Sequence, residues 1–98
     1  MANFMVEISL PKIMDLEFGN LIPYQRSMIH NLIKKGIIVN YSLSLDRGKL
    51  WVVVAARSIS EVKNIVGSFP IINYITYTVN ELLFHEGSYN PVPHFWLN

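Results

Sequence analysis

Three observations predict an α+β fold. Phe4, Val6, Ile8 and Leu10 repeat every two residues, a helical stripe lies between Asn20 and Gly36, and strand, capped-helix and strand signals follow after Ile37. The resulting order is β-α-β-β-α-β. It is the split βαβ, or ferredoxin-like, arrangement, in which two helices cover one face of a four-stranded antiparallel sheet.

The first strand has one apolar face because Met5, Glu7 and Ser9 alternate with its apolar residues, and Pro11 ends it. In the first helix, Leu21, Met28, Ile29, Leu32 and Ile33 share one side, while Arg26, His30, Asn31 and Lys34 lie opposite. Asn20 is the expected N-cap, with Pro23 in the first turn, where a missing N–H costs no intrahelical bond. Lys34 and Lys35 suit the negative end of the helix dipole, and Gly36 suits a left-handed stop.

A second strand is expected from Ile37 to Leu45, with Val39, Tyr41, Leu43 and Leu45 on its core side. Asp46-Arg47-Gly48-Lys49 reads as a hairpin turn in which Gly48 takes positive φ. The third strand, Leu50 to Ala56, is apolar on both faces, which predicts a central position. Ser58 and Glu61 have capping-box spacing at the start of a short helix closed by Gly67 and Pro70. The fourth strand is expected over Tyr74 to Val79. Residues 1–85 form the expected protomer; 86–98, with Tyr89, Phe95 and Trp96, form a C-terminal arm expected to pack on a neighbouring subunit.

The chain has 98 residues, 51% hydrophobic and 15% charged, with a net charge of +1. Disorder is excluded, because it requires low hydrophobicity and high net charge. So small a domain buries roughly 60–65% of its unfolded surface. Its apolar surplus therefore predicts self-association. The longest apolar run, Leu50 to Ala56, is too short to cross a membrane. With no charged leader, the expected location is cytoplasmic. Without cysteine, disulfides, thiolate metal sites and thiol catalysis are excluded, and the three histidines lack metal-ligand spacing. Near-neutral charge argues weakly against a nucleic-acid partner. Arg47 to Val54 faintly matches the RNA-recognition-motif signature but lacks its aromatics at Lys49 and Val54.

The helix-free sheet face collects Glu7 and Ser9; Asn40, Ser42 and Ser44; and Tyr74, Thr76 and Thr78. The third strand adds either Trp51, Val53 and Ala55 or Leu50, Val52 and Val54. Such a mixture makes either a wet surface or the lining of a closed cavity.

Phe69-Pro70, Tyr74, Val79, Leu82-Leu83 and His85 fall in the order and spacing of the muconolactone isomerases, which this chain resembles. The match runs upstream without gaps to Gly36, includes Ser58 and Glu61, and extends to Phe4 and Val6 in the first strand. The resemblance implies a dimeric α+β barrel, with two sheets face to face, pockets between sheet and helices, and dimers able to form a ring. It also implies a cofactor-free isomerase, which removes and returns a proton beside the carbonyl of a small organic acid or lactone. The chain departs from the family pattern at Glu7 and near Leu43, where basic residues stand, and near Asn40, where a histidine stands. The expected basic substrate anchors are therefore missing.

Glu7 is the candidate base if apolar neighbours raise its pKa; otherwise it is a strand-edge glutamate paired with a lysine. His85 is a candidate acid or base, or a chain-end contact at a subunit interface. Asn40, Ser42, Trp51, Tyr74 and Thr76 are the candidate substrate-binding residues; Tyr41 and Tyr77 share parity with the core. Two further functions suit the same architecture: a non-catalytic small-molecule-binding or stress-related barrel protein, and a cofactor-independent monooxygenase. No cofactor or metal is expected in any of them. The expected partners are a small organic ligand and other copies of the chain.

Overall fold

A computed structural model describes residues 1–86. The elements are β1 (Ala2–Ser9), α1 (Leu16–Lys34), β2 (Ile38–Leu43), β3 (Lys49–Ala56), α2 (Ile59–Gly67) and β4 (Thr76–Glu81), with a 3-10 turn at Ile72–Tyr74 before β4. The sheet order is β2-β3-β1-β4 and every pairing is antiparallel. This is the ferredoxin-like arrangement expected from the periodicity. Val52, Val53 and Val54 are all buried, which suits the central position of β3. The arm residues Tyr89, Phe95 and Trp96, and His94 with them, lie outside the described residues.

One face of the sheet, carrying Phe4, Val6 and Ile8 of β1 with Leu50, Val52, Val54 and Ala56 of β3, packs against α1 and α2. Phe18, Ile29 and Leu32 contribute from α1, Val62 and Val66 from α2, and Phe69 and Ile71 from the following loop. Each fully buried side chain of this kind contributes about 1.5–3 kcal/mol through removal of apolar surface from water.

Local chemistry shifts several boundaries. Asp15, not Asn20, caps α1: its Oδ1 accepts the Phe18 amide at 2.8 Å. The helix therefore starts earlier and Pro23 sits inside it. Pro23 is exposed, so water can reach the Gly19 carbonyl that its missing N–H leaves without a helical partner. Gly36 takes the expected left-handed conformation, φ 76°. In α2, Ser58 Oγ accepts the Glu61 amide at 3.2 Å, but the Glu61 carboxylate bonds Arg57 Nε at 3.1 Å rather than closing the capping box.

β2 is shorter than its alternation suggests and contains a bulge: Ile38 pairs with Val54 and Asn40 with Val53, leaving Val39 as the extra residue. Val39 is thereby turned away from the core, and Leu45, expected to be buried, is fully exposed. At the hairpin tip Arg47, not Gly48, has positive φ, 64°. Tyr74 belongs to the 3-10 turn rather than to β4. Among the described residues no helix is long and apolar enough to cross a membrane.

Candidate functional site

The early start of α1 lays Phe18, Ile22, Gln25 and Arg26 over the end of the sheet where β2 and β3 form their hairpin. Between them lies a cavity of about 490 Å3. Its apolar walls include Leu10, Phe18, Ile22, Leu43, Leu50 and Ile71. Its polar lining is Gln25, Arg26, Tyr41 and Arg47. The volume suits a small organic ligand, since such pockets span about 300–1,000 Å3.

Gln25 occupies a core-facing turn of α1 and is only 2% exposed. Its Oε1 accepts the Ile71 amide at 3.4 Å, while Nε2 is buried with no hydrogen-bond partner among the described residues. The opposite amide orientation would set an NH2 group against the Ile71 N–H, so this contact fixes which end is the donor. An unmade bond to a buried donor costs about 1–3 kcal/mol.

Tyr41 is half-buried in the wall. Burial pushes its phenol up, partly opposed by the nearby Arg26 charge. Arg47 is carried by a turn built on Asp46, whose Oδ1 accepts both Ser44 Oγ at 2.7 Å and the Gly48 amide at 2.8 Å. These bonds hold the Asp46 carboxyl below its ordinary value. The left-handed backbone at Arg47 stores strain, since a non-glycine residue there costs about 1–2 kcal/mol. Among the described residues, neither Arg26 nor Arg47 forms a salt bridge. Positions 7 and 43 carry no basic residue, while Arg26 of α1 and Arg47 of the hairpin line the cavity.

The opposite face of the sheet holds the residues expected to form the site. Ser42, Trp51, Glu7 and Thr78 lie in one row across the four strands, and Asn40, Val53, Met5 and Asn80 in the next. The face of β3 left open in the sequence is therefore Trp51, Val53 and Ala55. Glu7 is exposed, not enclosed. Its Oε1 accepts Trp51 Nε1 at 3.1 Å and its Oε2 lies 3.6 Å from Lys49 Nζ, which also donates to Ser9 Oγ at 2.9 Å. Thr76 pairs with Ser9. His85 Nε2 meets Asn40 Nδ2 at 2.9 Å, although β1 and β3 separate β4 from β2.

Tyr74 joins none of these. It packs edge-on against Phe18, ring centroids 5.4 Å apart, and a hydrogen bond to the Glu17 carboxylate pushes its phenol up to about 12. Gln25 escapes the sequence reading because the helix is begun at Asn20, which cuts off Phe18. Extended to Phe18, the stripe runs 18, 22, 25, 29, 32, and a glutamine in an apolar stripe is the signal that exposes it.

No protein-family model matches the chain, and no curated protein does. Among solved structures, a crystal structure of muconolactone isomerase superposes with a TM-score of 0.71 over 92% of this chain and 97% of that one, at 18% sequence identity. The fold is that of muconolactone isomerase. At this identity the likeness extends to the muconolactone isomerase fold alone; the reaction must be argued from the side chains.

Proposed function

We propose that the protein binds a small organic acid or lactone in the cavity between α1 and the sheet. The observation that carries this reading is the cavity itself, about 490 Å3, whose mostly apolar walls are joined by Arg26, Tyr41 and Arg47. Arg26 and Arg47 supply positive charge for a carboxylate. Abstracting a proton beside a carbonyl requires a base as well, and none stands among the described lining residues; burial keeps Tyr41 protonated. The geometry therefore favours the binding protein over the isomerase.

The test is calorimetry and thermal denaturation with muconolactone, followed by NMR of the recovered ligand after incubation in D2O. Stabilisation with the ligand unchanged is expected. Absence of any heat or thermal shift with this and related lactone acids would remove the binding reading; deuterium at the carbon beside the carbonyl would restore the isomerase.

The helix-free face supports self-association. Trp51 and Met5 are half-buried there, beside the Glu7–Lys49 pair. A second copy laid on this face would cover Trp51 and enclose Glu7, the one arrangement in which Glu7 serves as a base. Light scattering tests it: a monomer mass at tens of micromolar would exclude that arrangement.

A further inference from the structure

We propose that residues 82–86 form an autoinhibitory strap: latched by His85 to Asn40, they cover Val53 on the helix-free face and keep a second copy from packing there. The inference rests on that face being the surface of self-association and adds what controls access to it.

Val53 is only 2% exposed, yet it lies outside the cluster packed between sheet and helices, so its cover stands on the other side of the sheet. Its cross-strand neighbours do not supply that cover, since Met5 is half-buried, Asn40 is exposed and Ala55, next on its own face, is small. The segment after β4 does. The Leu82 amide donates to the Asn3 carbonyl at 2.8 Å, the chain bends at Leu83, and Asn40 Nδ2 then donates to His85 Nε2 at 2.9 Å. From β4 to β2 there are three inter-strand spacings, about 14 Å. The three residue steps from Leu82 to His85 reach about 10 Å, and the His85 and Asn40 side chains must supply the rest. Such a strap has no slack to pass around the sheet. It runs straight across β1 and β3, where Val53 stands.

The strap is closed but loosely held. Leu83 is 97% exposed and Phe84 70%, so closure buries Val53 without burying the strap's own large apolar side chains. Its far anchor is the single Asn40–His85 bond, and one such bond between neutral side chains contributes little. Two sheets packed face to face stand about 10 Å apart and fill the gap with their own side chains. A strap with Leu83 and Phe84 raised above it takes that space. A second copy therefore reaches Val53 and Met5 only after the strap has swung out. Closure and sheet-on-sheet packing exclude each other, and His85 acts as a latch between them.

The experiment uses the full chain and two variants that remove the latch from either side, Asn40→Ala and His85→Ala. Sedimentation velocity reads self-association. Strap closure is read separately by Val53→Cys, which places a lone thiol under the strap because the chain has no cysteine. At dilutions where the protein is monomeric, this thiol is expected to react slowly with a maleimide, and roughly tenfold faster when either latch substitution is added. Without Val53→Cys, both latch variants are expected to self-associate roughly tenfold more tightly than the wild-type protein, since each protomer no longer gives up a hydrogen bond on association. A thiol as reactive as a free one in the otherwise wild-type chain would overturn the proposal, and so would a slow thiol indifferent to both latch substitutions. A faster thiol with unchanged or weaker association would overturn autoinhibition and leave self-association in place. Monomers throughout, up to hundreds of micromolar and with the thiol freed, would instead remove the self-association reading and the proposal with it.

Discussion

Gln25 and Ile71 are 46 residues apart, and the 3.4 Å contact between the Gln25 Oε1 and the Ile71 amide joins α1 to the loop that follows α2. This contact ties the core-facing side of α1 to that loop, at the wall of the cavity, and leaves Nε2 a buried donor with no partner among the described residues.

Arg47→Gly is expected to separate stability from function. Glycine adopts positive φ without penalty, so the variant should unfold at a free energy raised by roughly 0.5 kcal/mol, strain relief of about 1–2 kcal/mol being offset by added chain entropy. Affinity for muconolactone should fall roughly threefold to tenfold as the guanidinium is lost. Urea denaturation and calorimetry measure the two effects, and a destabilised variant with unchanged affinity would show that Arg47 serves the fold.

Glu7→Gln keeps an acceptor for the Trp51 indole and removes the charge facing Lys49. Because both charged groups are exposed, stability should change by less than about 1 kcal/mol. Ligand binding in the cavity should be unchanged, since Glu7 lies on the other face of the sheet. If instead the variant abolishes a measurable proton exchange on the ligand, Glu7 is the base and the helix-free face is the catalytic one.

Tyr74 offers a test at high pH. Its phenol is raised to about 12 by the bond to Glu17, so in spectrophotometric titration one tyrosine should ionise near that value. A raised pKa means that the bond's stabilisation is complete below the ordinary tyrosine value near 10 and disappears as pH climbs through about 12. Tyr74→Phe should lose both the late ionisation and that part of the alkaline decline in stability. Identical alkaline unfolding curves for the two proteins would dismiss the Glu17 bond.

Asp15→Ala removes the cap that sets where α1 begins. The expected loss is about 1 kcal/mol, read from urea denaturation. Cavity affinity should fall with it, because Phe18 and Ile22 depend on that first turn for their position over the sheet. A variant of unchanged stability would mean that packing of Phe18 against Tyr74, rather than the cap, starts the helix.

Much of the fold is legible residue by residue. The alternation from Phe4 to Ile8, the doubly apolar β3, Ser58 at a helix start and Gly36 at a helix end each report a local requirement: which side of an element is buried, or which backbone angle is allowed. Placement of the site is less legible. Glu7, Asn40, Ser42, Trp51 and Thr76 do share one sheet face, as their parity implies, and His85 joins Asn40 there. Tyr74 is drawn off to Phe18, and nothing in its neighbours' periodicity announces that contact. The resemblance implies pockets between sheet and helices, but the residues lining this one are not legible, because Gln25 reads as an ordinary helix residue until the helix is known to begin at Leu16.

The sequence by itself determined the order of the elements, the ferredoxin-like class and which residues of β1 and β3 face the helices, because these follow from periods of two and 3.6 residues along a single segment. Only the tertiary structure decided the bulge at Val39, the left-handed Arg47, the exposure of Glu7 and the unpaired amide of Gln25. These depend on what lies opposite. A cavity is a gap between segments far apart in the chain, and whether a buried donor finds a partner is known only when both segments are in place.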